Sequence, residues 1–211
     1  MRTTPFADAV GFLAQPRWTT GVFWILAAVS IAAAWVNWHR ASDQRSGTRF
    51  WTWVARFAVG TMWWTQTLWK LPPTYTDRPD GSGGLRFWVG QVAQYAAFGA
   101  HRDFIKDVVQ PHFYLFAPQV YLGEVLIAVL LIVGLFSRLG AVLGLLQAIN
   151  LWLGLYRDPY EWPWTYVFLI VIQLLFVLSA PGRSLGIDAI LLRRADRTQA
   201  TAWGRLLRFL S

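Results

Sequence analysis

Apolar stretches of membrane-spanning length constrain the fold of this chain more than any other feature. A helix of about 20 apolar residues crosses roughly 30 Å of hydrocarbon. Such stretches occupy residues 18–38, 51–69, 113–136, 139–156 and 162–180. Only 14% of the 211 residues are charged, whereas soluble domains average about 25%. The sequence therefore predicts an all-α integral membrane protein with five spans.

The distribution of basic residues predicts how these spans are oriented. Arginines concentrate between the first two spans, in the Ser137-Arg138 turn and after residue 185. Because short cytoplasmic loops are enriched in Lys and Arg, these segments are predicted to face the cytoplasm. The N-terminus and the loop 71–112 then face outward, and the C-terminus is cytoplasmic. We expect a multi-pass protein of a bacterial or archaeal cytoplasmic membrane, with an uncleaved first span because arginines follow its apolar core.

Composition argues against several kinds of site. The chain has no cysteine, which excludes disulfides, Cys-ligated iron–sulfur clusters and a Cys-x-x-Cys redox couple. No histidine lies at the predicted depth of a span, so neither haem ligation nor a metal site is expected. The net charge of +8 follows the cytoplasmic bias of the loops, and a nucleic-acid partner is therefore not expected.

Three stretches outside the spans are amphipathic. Residues 85–99 and 101–110 repeat apolar residues at helical spacing, and they are predicted to lie as interfacial helices on the outer leaflet. Residues 202–210 combine leucines with two arginines. This tail is predicted to be a basic amphipathic helix on the inner surface, attached to anionic lipids in preference to a protein partner.

Glu124 is the only carboxylate inside the apolar stretches. A charged group at the centre of a bilayer costs roughly 2.5–3.5 kcal/mol on insertion scales, so it requires a partner or a function. Lys70, at the outer end of the second predicted span, is the basic candidate. Structural alternatives stay open for both residues. Glu124 is either protonated or part of a purely structural ion pair with Lys70. Lys70 could instead extend to the membrane interface.

Further polar and aromatic residues are predicted to lie at the depth of Glu124. We expect them to converge with the pair in the outer half of a four-span bundle. They are Gln66, Trp69, Asn150, Trp162, Trp164 and Tyr166. Each also has a simpler interpretation as an inter-helical contact or an interfacial anchor. Arg56, near the inner end of the second span, is expected to extend towards lipid phosphates.

Four motifs between residues 56 and 188, taken in order, resemble those of the DoxX/DoxD family. They are Arg56-Phe-Ala-Val-Gly60 with Trp69-Lys70, Tyr121-Leu-Gly-Glu124, Gly134-Leu-Phe-Ser-Arg138-Leu-Gly-Ala, and Pro181-Gly-Arg183-Ser-Leu-Gly-Ile-Asp188. The resemblance covers about residues 51–192. It implies a DoxX-like four-helix transmembrane bundle over 51–192, including the loop 71–112. An N-terminal segment 1–50 with one extra transmembrane helix precedes the bundle, and the tail 193–211 follows it.

The resemblance also implies quinone-linked redox chemistry. The DoxD branch is similar in kind to the large subunit of thiosulfate:quinone oxidoreductase, a membrane protein that works with a second subunit and passes electrons to quinone. Three functions stay open: a quinone-interacting subunit, a non-catalytic anchor of a redox complex, and a small-solute or lipid transporter. In the first, Glu124 and Lys70 are the predicted catalytic pair, and the six residues above surround a mobile quinone. Expected partners are the bilayer and another subunit or a second copy of the chain.

Overall fold

The computed structural model describes residues 4, 11, 15–78, 80, 83–197 and 202–211. These residues form helices joined by turns, and no β-strand occurs among them. The helices are α1 (Trp18–Arg40), α2 (Gly47–Thr67), α3 (Gly84–Tyr95), α4 (Gly99–Phe104), α5 (Phe113–Val133), α6 (Ser137–Gly154), α7 (Pro163–Ser179), α8 (Ile187–Arg197) and α9 (Ala202–Leu210). The prediction of an all-helical chain is confirmed.

Each of the apolar stretches contains one long helix, namely α1, α2, α5, α6 or α7. Among the described helices, α1 and α5 are long and apolar enough to cross a membrane, and α7 is a shorter apolar helix. The two amphipathic stretches of the loop 71–112 are also helical, as α3 and as α4 with the π-helical turn Ile105–Val109 that follows it.

Local sequence signals set the ends of the long helices. The Ser46 side chain accepts a hydrogen bond from the Arg49 backbone N–H and caps the start of α2. Pro163 occupies the first turn of α7, where its missing N–H removes no helical hydrogen bond. At the end of α5, Gly134 takes the left-handed conformation with φ of 69°, which a glycine adopts without the steric cost of a Cβ.

Helix α5 is central to the packing. Helices α2, α6 and α1 all pack against it, and α7 packs against α6. The shared core includes Trp63 of α2 and Leu131 and Ile132 of α5, which are almost fully buried. Glycines permit the closest approaches: a Cβ at Gly60 would lie 2.8 Å from Ile132. Small residues at helix contacts are how helices associate closely in lipid.

The predicted helix of the tail coincides with α9, which packs against α8 and α6. Its Leu207 is buried. The Arg183 guanidinium donates to the Arg208 backbone carbonyl at 2.8 Å, and the Arg138 guanidinium donates to the Phe209 carbonyl at 3.3 Å. The end of α9 is thus attached to the fold, and its contact with anionic lipid stays a prediction.

Candidate functional site

Lys70 and Glu124 form an ion pair inside the protein. The Lys70 ammonium lies 2.6 Å from both Oε1 and Oε2 of the Glu124 carboxylate. Lys70 is 5% exposed and Glu124 is 1% exposed. The ammonium therefore does not extend to the interface, and the charge of each residue is balanced by the other. At such burial, removing one partner would leave an uncompensated charge.

The end of α2 fixes the position of Lys70. Its backbone N–H donates to the Thr67 carbonyl at 3.2 Å and so closes a turn directly after the last residue of α2. The ammonium lies 4.4 Å from the centroid of the Trp69 ring, within the range of a cation–π contact. Trp69 in turn packs against Trp88 of α3, with 6.3 Å between ring centroids. The Lys70 ammonium is thus held both by the Trp69 ring and by the Glu124 carboxylate.

Glu124 also lines a cavity of about 310 Å³ between α5 and α6. Two amides share the lining, Gln119 of α5 and Gln147 of α6, and Gln147 interacts with the Glu124 carboxylate. The remaining lining residues are Val120, Gly123, Leu126, Ile127, Leu143 and Leu146. Lys70 does not line the cavity. The carboxylate therefore lies between the ammonium behind it and an apolar space in front of it.

Of the residues that we expected to converge on Glu124, Lys70 contacts its carboxylate and Trp69 contacts the Lys70 ammonium. Gln66 is exposed on α2 and Asn150 is exposed on α6. Trp162 and Trp164 are 61% and 57% exposed and pack against Phe168. The Tyr166 hydroxyl donates to Glu161 Oε2 at 2.9 Å. None of these five lines the cavity, and their proposed contact with quinone has no support from this arrangement.

The rotation and order of the helices explain this difference. Helix α7, which carries Tyr166 and follows Trp162, packs on α6 and so lies away from the α2–α5 contact. Gln147, which precedes Asn150 by about one turn of α6, interacts with Glu124, a position that we had expected Asn150 to occupy. Gln147 was not among the residues predicted to converge on Glu124. The signal that could have identified Gln147 is a side-chain amide in a mostly apolar helix, because burying an amide costs free energy unless it is hydrogen-bonded.

A second buried charge, Arg56 of α2, lies near the end of α5. The expectation that Arg56 extends to lipid phosphates is wrong, because it is fully buried. Its guanidinium Nη1 donates to the backbone carbonyls of Leu131 and Ile132, at 2.9 Å for Ile132. These carbonyls belong to the last turn of α5, where they lack helical partners and where a cation is favoured by the helix dipole. The glycine at position 134 leaves room for the Arg56 guanidinium, because a Cβ there would lie 2.6 Å from the Arg56 Cζ.

Asp188 of α8 caps the helix on the other side of the same turn. It is fully buried, and its Oδ1 and Oδ2 accept hydrogen bonds from the backbone N–H groups of Phe136 (2.7 Å) and Ser137 (2.9 Å), where α6 begins. Its own N–H donates to the Gly134 carbonyl at 2.8 Å. Burial raises the pKa of the Asp188 carboxyl, whereas the N–H donors and Arg56 oppose that shift. Arg56 and Asp188 therefore cap the two helix ends that meet at the α5–α6 turn.

A family model described as "TQO small subunit DoxD" matches residues 51–208. The match extends from α2 into α9 and includes both buried charged regions. Neither a curated protein nor a solved structure matches the chain. The description names a small subunit, so the expected likeness to a large subunit is wrong.

Proposed function

The chain belongs to the DoxD family, and on that basis we propose that it is a membrane subunit of a thiosulfate:quinone oxidoreductase-like complex. The apolar helices α1 and α5 support a membrane location. In the proposed arrangement α2, α5, α6 and α7 form the DoxX-like bundle and α1 is an additional span. The distribution of arginines supports an outer N-terminus and a cytoplasmic C-terminus.

The proposed quinone site is the cavity in front of Glu124. The single observation that carries it is that buried Glu124 lines a mostly aliphatic cavity of about 310 Å³ together with two amides. A quinone has an apolar ring and two carbonyl oxygens. Its reduction to a quinol takes up two electrons and two protons, one proton on each oxygen. The aliphatic walls suit the ring, and the Gln147 amide can donate a hydrogen bond to a carbonyl.

Glu124 and Lys70 would supply protons to this site. Transfer of a proton from the Lys70 ammonium to the Glu124 carboxylate, 2.6 Å away, leaves both groups neutral. Glu124 then passes that proton to one oxygen of the reduced quinone, and uptake of a proton by the pair restores the original charges. A second transfer of the same kind protonates the other oxygen. Lys70 does not reach the cavity and is in this account a positioning and proton-supplying residue. The electrons come from thiosulfate through another subunit of the complex.

A non-catalytic anchor is the second candidate function, and a surface of the loop 71–112 favours it. Phe87, Phe98 and Phe104 are each about half exposed or more on the α3–α4 segment, at 49%, 61% and 49%. Exposed aromatics of this kind suit the core of a protein interface as well as a lipid surface. If the chain were only an anchor, Glu124→Gln would leave turnover intact, whereas deletion of residues 85–110 would detach the partner.

The test of the quinone site fills the cavity without touching the ion pair. Gly123 lines the cavity, and a Cβ added there meets no atom within 4 Å. We expect Gly123→Leu to raise the KM for a short-chain quinone about tenfold or more in thiosulfate-dependent reduction by the purified complex, a loss of about 1.4 kcal/mol in binding. Gly21→Leu is the matched control, because Gly21 of α1 also has open space around it but lies outside the cavity. An unchanged KM in a folded, partner-bound Gly123→Leu complex would overturn this site.

A further inference from the structure

A second cavity, also of about 310 Å³, lies between the last turn of α1 and the middle of α8. It is lined by Val36 and Arg40 of α1 and by Ile190, Arg193 and Arg194 of α8. Three arginines and two aliphatic residues thus line one space. No carboxylate belongs to the described lining of this cavity. The charged pair Lys70–Glu124 and its cavity are separate from it.

A buried asparagine holds one wall of this cavity in place. Asn37 of α1 is fully buried, and its amide donates to the backbone carbonyls of Ala33 (2.8 Å) and Gly186 (2.9 Å). The Asn37 Oδ1 accepts a hydrogen bond from the Arg193 guanidinium. The side chain of Arg193 is therefore oriented before any ligand arrives, and α1 is joined to the start of α8. Such preorganisation lowers the entropy that a ligand must offset on binding.

The chemistry of the lining selects an anionic amphiphile. Guanidinium groups match the oxygens of a phosphate with paired N–H donors, and three arginines line this cavity. Val36 and Ile190 supply apolar contact beside the cations. On α1, Ile31 and Trp35 are 54% and 67% exposed, so an apolar surface continues from the cavity along the helix. A phosphate alone would use only part of this arrangement, whereas a phospholipid would use all of it.

We propose that the α1–α8 cavity binds the phosphate headgroup of an anionic phospholipid, with an acyl chain along the exposed face of α1. The sequence predicts that this end of the fold faces the cytoplasm, where anionic lipids give the leaflet its negative surface potential. Basic pockets between transmembrane helices on that side are suited to such headgroups. Arg40 and Val36 precede residue 51, where the family match begins. The proposed lipid site thus depends on a helix that the family model does not include.

Lipid binding by the purified protein in detergent, measured by native mass spectrometry, tests this proposal. The probes are phosphatidylglycerol, phosphatidylcholine with the same acyl chains, and inorganic phosphate. The test variant is Arg40→Gln/Arg194→Gln, which changes two exposed arginines and leaves Arg193 on Asn37. The control variant is Arg205→Gln, which removes an exposed arginine of α9 that does not line the cavity. Thermal unfolding verifies that both variants are folded.

We expect the wild-type protein to bind phosphatidylglycerol about tenfold more tightly than phosphatidylcholine, which corresponds to about 1.4 kcal/mol. The double variant should lose this preference, the Arg205→Gln protein should keep it, and millimolar inorganic phosphate should not displace the lipid. The proposal is overturned by equal binding of the two lipids, by an unchanged preference in the double variant, or by an equal loss in Arg205→Gln, which would indicate generic surface charge. Displacement by inorganic phosphate would indicate a soluble-anion site and also overturn it.

Discussion

Two groups of buried charged residues, Lys70 with Glu124 and Arg56 with Asp188, interact with their surroundings in different ways. Lys70 and Glu124 contact each other directly, and the carboxylate faces a cavity. Arg56 and Asp188 instead bind backbone groups at the end of α5 and the start of α6. A charge that caps a helix end is explained by the fold, since the end of every helix leaves backbone groups without partners. A charge pair beside an open apolar space is not explained in that way, and it is the better candidate for chemistry.

The largest expected effect is the loss of the α5 cap. Arg56→Met removes the donor to the Leu131 and Ile132 carbonyls and one of the two cations that interact with the buried Asp188 carboxylate, the other being Arg183. We expect a loss of about 3–5 kcal/mol in the free energy of unfolding, as for other broken buried charge arrangements. Denaturant titration in detergent measures it. Arg205→Met, which removes an exposed arginine, serves as the control and should change stability little; equal stability of the two variants would contradict a capping role.

A smaller effect is expected from crowding the Asp188 carboxylate. A Cβ at Gly182 would lie 2.1 Å from Asp188 Oδ2 and 2.6 Å from Ser137 Oγ. Gly182→Ala should therefore cost about 1–3 kcal/mol through overpacking, with the activity of each folded molecule unchanged. Gly21→Ala is the control, because Gly21 has open space around it and alanine favours a helix by up to about 1 kcal/mol. A Gly182→Ala protein as stable as this control would show that the turn is loosely packed.

The sequence alone predicted much of the first region and little of the second. Glu124 stood out because it is the one acid in an apolar stretch, and Lys70 was the nearest base by depth. Depth does not determine which way a helix is rotated, and the sequence therefore could not show that Gln66 and Asn150 are exposed. Asp188 lies in a polar stretch, and the sequence analysis included it only as the last residue of a family motif. Its role depends on backbone N–H groups 51 and 52 residues earlier in the chain, a contact that no local pattern specifies.

The smallest expected effect on stability comes from neutralising both members of the Lys70–Glu124 pair. Replacing a buried ion pair by uncharged residues of similar volume is often neutral or stabilising. We expect Lys70→Met/Glu124→Gln to change the free energy of unfolding by less than about 1 kcal/mol. Lys70→Met alone should be clearly less stable, because it leaves the Glu124 carboxylate buried without its counter-charge. A double variant no more stable than that single variant would mean that the pair is needed for folding.

We propose that the Lys70–Glu124 pair transfers protons, whereas Arg56 and Asp188 stabilise the fold. The most direct test of this claim is thiosulfate-dependent quinone reduction by the complex that contains Lys70→Met/Glu124→Gln, with partner retention and unfolding measured on the same preparation. We expect a folded, partner-bound complex whose kcat falls about 100-fold, because a proton-transferring group has been lost. Wild-type turnover in that complex would contradict the claim and leave the pair a structural contact.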